Sequence, residues 1–471
     1  VRFLALLLVA VPLHAQFPSE PPKVGAPQAY RAPQRRDFRL ETGIPVTLIE
    51  DRRSPLVTAT LAFNGGTAKF VQRGHGLIEI ISALVTAGTV INDAQGIALR
   101  ADSFGGTIAG EATEDTVAVH ASALADRAQD MLHLMGEVVG MSHYPMPELN
   151  IRKANMIEEL RVARSQSAWL ADLAFRRHVF GLHPYAEQAD EESIKAINRG
   201  TVQLTVRDLL RGTNARLFVV GDITPTALKK ALQHWSVVWD LRVGVPLAPV
   251  PGPREAEVGR RVLLVDRPGS AQTALRIGRR AVPEAHPDYF PLLVANQVLG
   301  GSYAARLNVD LRERKGWTYG IYSSLRERRS AASFVIATEV RTKVTKKAIA
   351  RIFGHLKRIR RKKVGEDELV QAKNVLIGDF VRGLETQDGL AAEIVHADMF
   401  NLGKDWPERY VERVAAVTQD DVLRVARVHF DPKQMVVVAV GDGKKIARGL
   451  KRFGTPLRVG VDGKVSGPYA E

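Results

Sequence analysis

The chain contains no cysteine. No disulfide can brace it, no lipid can be attached to a cysteine beside a cleavage site, and no thiolate can bind a metal ion. Aromatic residues make up only 6% of the 471 positions, while 45% are apolar, the profile of a water-soluble globular protein. No stretch offers the roughly eighteen uninterrupted apolar residues that a membrane helix requires. A chain of this length outgrows one ordinary core, so two or more domains are expected.

Residues Val1–Ala15 carry one basic residue near the start, an apolar run from Phe3 to Val11 and small residues before Gln16. That layout predicts a secretory signal peptide over 1–15, too short to span a bilayer, and hence an exported, periplasmic protein. A Pro- and Ala-rich leader is expected over 16–36. The formal net charge is +15. Its densest run, His355–Lys363, falls between the apolar residues Ile352, Phe353, Leu356 and Ile359, so the basic side chains form the solvated face of a helix. Behind a signal peptide such a face suits anionic lipid head groups better than nucleic acid.

The chain repeats one plan at a spacing of about 220 residues, far longer than a solenoid repeat. The first half opens with strands Pro45–Glu50 and Leu56–Asn64 and closes on Leu217–Asp222. The second opens with Arg261–Asp266 and Thr273–Gly278 and closes on Met435–Asp442. Each closing strand is expected to follow a helix capped by threonine, Thr205 in the first half and Thr418 in the second. On that alignment the first half is about seven residues shorter than the second between cap and strand. Strands Thr116–His120 and Ala332–Ala337 alternate with amphipathic helices such as Ala125–Val139, Pro147–Ala163 and Pro291–Leu299. The pattern predicts an α+β fold, two homologous domains with helices on one face of a mostly antiparallel sheet. The domains are placed at 37–244 and 258–451, joined by a Pro-rich linker at 245–257 and followed by a tail at 452–471.

Two segments carry chemistry. In Gly74–Thr89, GHGLIEIISALVTAGT, apolar residues recur at helical spacing from Leu77 to Val85. In the second half, Gly300-Gly301 leads into Arg306-Leu307, Leu311-Arg312, Gly316 and Tyr319. Together these resemble the pitrilysin/insulinase-type, or inverzincin, zinc metallopeptidases, which include mitochondrial processing peptidase. The first segment resembles their G-x-x-H-x-x-E-H-x4-G-T helix and the second their G-G-x4-R-L-x3-L-R-x3-G-x-x-Y signature. The resemblance spans roughly Asp37 to Leu450, and it implies two domains forming a clam-shell around a peptide cavity.

Counted back from Gly88-Thr89, the first histidine of the motif falls on Glu79, the glutamate on Ser82 and the second histidine on Ala83. Zinc needs two imidazoles one helical turn apart and a carboxylate to activate water. Residues 79, 82 and 83 supply neither, and His75 with Glu79 leaves a site short of donors. Glu158 and Glu159, near the family's third ligand position, then read as a charged helix face. No metal or other cofactor is expected in this chain.

The resemblance implies that Arg312 and Tyr319 hold substrate backbone and the developing oxyanion, and that zinc comes from an H-x-x-E-H-bearing partner subunit. The alternative for Arg312 is a local ion pair with a carboxylate such as Asp310, and for Tyr319 a strand aromatic. Strand Gly105–Glu114 falls where the family adds substrate by β-pairing, with Ala109-Gly110 in place of asparagine-alanine. The expected function is the non-catalytic, substrate-binding subunit of a heterodimeric periplasmic zinc peptidase acting on peptides or unfolded segments. A peptide-binding, chaperone-like protein or a structural subunit is the alternative.

Overall fold

The structure is a computed structural model describing residues 30–239, 247–253 and 259–469. The expected signal peptide lies outside the described residues.

Two sheets form the frame. The first holds β1 (Arg35–Arg39), β2 (Pro45–Glu50), β3 (Leu56–Asn64), β4 (Thr107–Ala112), β5 (Thr116–Leu124) and β6 (Ala215–Gly221) in the order β1-β2-β6-β3-β5-β4. The second holds β7 (Arg261–Asp266), β8 (Gln272–Ala281), β9 (Ile321–Arg328), β10 (Ala331–Arg341), β11 (Val436–Gly441), β12 (Pro456–Val459) and β13 (Val465–Pro468) in the order β13-β12-β7-β11-β8-β10-β9. Antiparallel pairs predominate, and the parallel contacts are β2 with β6, and β7 with β11 and β12. The run β2-β6-β3-β5-β4 repeats as β7-β11-β8-β10-β9, which is the duplication read from the sequence.

Several expectations are corrected. The first closing strand follows helix Arg199–Leu209, whose cap is Asn198, its side chain accepting from the Thr201 backbone N–H. Thr205 lies buried inside that helix. In the second half Thr418 caps Gln419–His429 as expected, with Asp421 returning the bond. Measured from the true caps, Asn198 to Gly221 and Thr418 to Gly441 are equal in length, so the first half has lost nothing there. The expected leader already contains β1 from Arg35, and the expected tail contributes β12 and β13. Of the linker, Leu247 packs on the first core and Val250 on the second sheet's core.

The helices cover both faces of each sheet, not one. Val57, Ala59, Leu61 and Phe63 of β3 pack with the first half's own helices. The opposite face, through Ile49, Ala62, Phe218 and Val220, packs on Leu390, Ala391 and Ile394 of helix Gln387–Met399, which belongs to the second half in sequence. Reciprocally, Leu170, Ala171, Ala174 and Phe175 of helix Ser167–Phe180, from the first half, pack on Val265, Ala274, Val335 and Val438 of the second sheet. Each half lends one helix to the other's sheet. This explains why β11, VVVAVG, is buried at every position.

Polar contacts fix both exchanged helices. Asp172 of Ser167–Phe180 receives Arg276 of β8 through Nε at 3.0 Å and Nη2 at 2.8 Å. In Gln387–Met399, Asp388 accepts from Thr58 Oγ1 at 2.6 Å, and Asp398 pairs with Arg216 and Arg35 of the first sheet. The reverse side of that helix faces its own half. There His396 Nε2 lies 2.7 Å from Glu284, and Glu393 accepts from Trp406 Nε1 at 2.7 Å.

Tyr289 Oη sits 3.1 Å from Glu284 and 3.3 Å from Glu327, and one hydroxyl proton cannot serve both carboxylates. Burial, then the Glu284 charge, pushes the Glu327 carboxyl up to about 7. Glu393, His396 and Tyr410 complete the surroundings, and the neighbouring carboxylates hold His396 above the usual imidazole range. A carboxyl raised on folding stabilises the fold fully below its unfolded value and loses that contribution as pH rises through the folded one. Stability should therefore fall by about 3 kcal/mol through Glu327 between mildly acidic and mildly alkaline pH. Urea midpoints at pH 5 and pH 8 check this, with Glu327→Gln expected to flatten most of the difference. An unchanged difference in that variant would contradict the assignment.

Candidate functional site

The helix expected over Gly74–Thr89 is shorter, Leu77–Ala83. Gly76 enters it in the left-handed region, at φ 89°, and a side chain there would press on Met156 and Ala189. Ser82 Oγ bonds back to the Glu79 carbonyl at 3.1 Å, and the chain turns at Leu84. Beyond the turn, buried Glu137 gathers Thr89 Oγ1, Asn92 Nδ2 and the Arg100 guanidinium, which fixes the Gly88–Asn92 loop.

Glu79 lines a pocket of about 160 Å³ together with His75, Glu114, Arg176, Glu187 and Gln188. Its Oε2 is shut from solvent without a hydrogen-bond partner, and burial raises its carboxyl above the usual range. Arg176 arrives on the exchanged helix Ser167–Phe180 and donates to Gln188. A fixed positive charge thus stands in the pocket where the family's motif would gather metal ligands. His75 Nε2 lies 3.9 Å from Glu187. Ser82 faces the Glu79 carbonyl, Ala83 is exposed, and Glu158 and Glu159 pair outward with Arg161 and Arg152. Among the described residues no group of three or more His, Asp or Glu side chains is placed to hold a metal ion. The donor set does not fit zinc.

Strand β4 is the terminal strand of its sheet and pairs only with β5. A Cβ on Gly110 would lie 2.1 Å from the Ser82 carbonyl oxygen, so glycine lets the shortened helix press against this edge. The turn after β3 also depends on glycine. Gly65 has φ 102°, and a Cβ on Gly66 would lie 2.1 Å from the Thr113 carbonyl oxygen. This turn meets the second half through a polar seam. Asp115 accepts from Tyr185 Oη at 2.6 Å and from the Arg329 backbone at 2.9 Å, while Arg328 donates to Glu114 at 2.8 Å.

Arg312 lies on the helical segment Val309–Arg314, and its pairing with Asp310 does not occur. Asp310 is buried and taken by Arg351 at 2.5 Å and His355 at 2.7 Å. The local ion pair of Arg312 is with Glu313, at 3.2 Å. Its guanidinium lies 5.2 Å from the Tyr303 ring centroid, a cation–π contact. The Tyr303 ring stands perpendicular to Tyr322 at 5.5 Å, and the hydrogen bond that Tyr322 makes to Tyr303 raises the Tyr322 phenol above its ordinary range. Tyr319 precedes β9 instead of lying in a strand, and it is 91% exposed. Gly316, at φ 58°, turns the chain between Arg312 and Tyr319. The second-half group is therefore solvent-facing, with Tyr303, packed on Tyr322, holding Arg312. Both tyrosines were missed in the sequence, although Tyr303 lies inside the G-G-x4-R-L signature.

The description "Peptidase M16 inactive domain" fits residues 196–376. A crystal structure of a peptidase M16 inactive domain from Pseudomonas fluorescens superimposes with a TM-score of 0.79 at 22% identity, covering 86% of this chain and 98% of that one. Over residues 196–376 the chain is similar to the M16 peptidases, and over most of its length it shares their fold. An uncharacterized zinc protease of Bacillus subtilis is 21% identical over 61% of this chain and 69% of its own length. The mitochondrial-processing peptidase subunit alpha of Caenorhabditis elegans is 20% identical over 93% of this chain and 90% of its own. A non-peptidase homolog from Helicobacter pylori is 19% identical over 85% and 93%. In this chain Glu79, Ser82 and Ala83 stand at the positions aligned with the metal motif, while the second-half signature keeps its spacing.

Proposed function

We propose that this chain is the non-catalytic, substrate-gripping subunit of a periplasmic zinc peptidase whose metal is carried by a second, H-x-x-E-H-bearing M16 chain. The observation that carries the reading is an asymmetry. Glu79, Ser82 and Ala83 stand at the metal-motif positions beside the half-buried Arg176, whereas Arg312 is held on the face of Tyr303 with Tyr319 open to solvent. A guanidinium and a phenol kept at the surface suit a peptide carbonyl, which gains negative charge as the amide is attacked. In this reading Arg312 orients the backbone and Tyr319 donates to the oxyanion. The substrates are peptides or unfolded segments, since contacts to backbone demand an extended chain.

Support comes from the relatives: one is named a subunit of a processing peptidase and another a non-peptidase homolog. The direct test is purification from the native host. An M16 chain with intact H-x-x-E-H and bound zinc should accompany this one in equal amount. Isolation of a single species that binds peptides and has no such companion would replace this reading by that of a stand-alone binding protein.

A further inference from the structure

The outer helices of the second half carry a concentration of positive charge. Helix Thr345–Ile359 buries Ile349, Ile352, Phe353 and Leu356 and turns Lys346, Lys347, Lys357 and Arg358 to solvent. Helix Gly443–Leu450 lies beside it, with Gly449 against the Lys346 side chain, and exposes Lys444 and Arg448. At the far end of the longer helix, the basic run ends in a groove of about 360 Å³ lined by Arg260, Lys357, Arg360, Arg361, Asp431, Pro432 and Lys433.

Five cations there face one carboxylate, and that carboxylate is committed. Asp431 accepts from Arg360 Nη2 at 3.1 Å and from the Lys433 backbone at 2.9 Å. Arg260 is held in place without an ion pair among the described residues. Its Nε donates to the Pro432 carbonyl at 2.8 Å and Nη1 to the Phe453 carbonyl at 3.2 Å, while its face lies 4.7 Å from the Phe353 ring centroid. Arg360 Nε is closed off from solvent with no hydrogen-bond partner. The side chains of Lys357, Arg361 and Lys433 make no ion pair among the described residues. A solvated helix face accounts for the lysines on its outside. It does not account for two partly buried guanidiniums and three unpaired cations converging on one concavity, where like charges repel.

Arginine forks with flanking ammonium groups match phosphate oxygens. We propose that this groove receives phosphate head groups of anionic phospholipids and that the basic faces of the two helices seat the protein on a membrane surface. A lipid source is favoured over nucleic acid because the cations continue from the groove along a helix of fifteen residues, about 22 Å. Moreover, Phe353, the aromatic residue of these helices, is buried, so no ring is offered for base stacking. The inference is independent of the subunit reading.

The test is co-sedimentation of the full chain with phosphatidylcholine vesicles with and without phosphatidylglycerol, at low and high salt. Binding is expected only to the anionic vesicles and only at low salt. The triple variant Lys357→Glu, Arg361→Glu, Lys433→Glu should weaken it about a hundredfold. A charge-matched control, Arg207→Glu, Lys229→Glu, Lys230→Glu, alters exposed cations of the first half and should leave binding within about twofold. Equal losses in the two variants would reduce the effect to net charge and overturn the groove. Binding of inorganic phosphate in the groove without vesicle binding would overturn the membrane assignment. So would duplex DNA binding with the same dependence on the three groove residues.

Discussion

Mixed with an H-x-x-E-H-bearing partner, the chain should support peptide hydrolysis that it does not perform alone, and Tyr319→Phe should lower turnover of the mixture about 10²-fold. That size is expected when one oxyanion donor is removed. Tyr319 is 91% exposed, so the substitution should leave folding and association unchanged, and the loss should fall on kcat. Arg312→Ala should also raise KM, because a contact to substrate backbone acts in the ground state too. Tyr303→Ala takes away the ring on which the guanidinium rests, and it should shift KM in the same direction as Arg312→Ala with a smaller effect. The readout is steady-state kinetics of the reconstituted pair. Full activity in Tyr319→Phe and Arg312→Ala would make the subunit a scaffold.

The largest stability effect is expected at the exchanged helix. Asp172→Ala would leave Arg276, 7% exposed at its side chain, with its charge unpaired in the second sheet's core. Removing one partner of a buried pair costs about 3–5 kcal/mol. Arg326, which pairs with Asp172 at 3.0 Å, loses less because it reaches solvent. Burial raises the Asp172 carboxyl, but Arg276 and Arg326 outweigh it and hold the group below the usual carboxylate range. Its contribution is therefore present above the unfolded carboxylate value and is lost in acid as pH falls through the folded one. Urea unfolding at neutral pH gives the magnitude. A second variant, Asp172→Ala with Arg276→Met, should recover much of the loss, since replacing both partners by apolar groups removes the stranded charge. Should Asp172→Ala alone cost under about 1 kcal/mol, the helix would be held by apolar packing and the pair would be incidental.

How far the sequence could be read depends on whether a signal is local. Strands Pro45–Glu50, Leu56–Asn64 and Arg261–Asp266 fall where apolar runs and flanking turn residues place them. The cap at Thr418 was legible because Asp421 completes a capping box, whereas Asn198 went unread. Thr205-Val206-Arg207-Asp208 imitates a cap, although Thr205 is an interior residue covered by tertiary packing. The exchanged helices are non-local, and nothing within Ser167–Phe180 says that it covers the other half's sheet. A signal did exist in the strands, because VVVAVG and LFVVG are apolar at successive positions, which implies cover on both faces. At the site, the loss of the metal motif and the retention of Arg312 and Tyr319 were legible as spacing. Arg176 was not, because it comes from a helix nearly a hundred residues beyond Glu79. Tyr303 and Tyr322 were also hidden, since the stack of Arg312 on Tyr303 and Tyr303 on Tyr322 requires β9 to bring Tyr322 back to the signature loop.

The central claim is that this chain has given up the metal half of a composite site and kept the substrate half. Zinc stoichiometry of the purified chain, by elemental analysis after exhaustive dialysis, tests it most directly. The account predicts no stoichiometric zinc, since Glu79, Ser82 and Ala83 offer one half-buried carboxylate beside a half-buried arginine. About one zinc per chain, lost when His75 or Glu79 is changed to alanine, would contradict it.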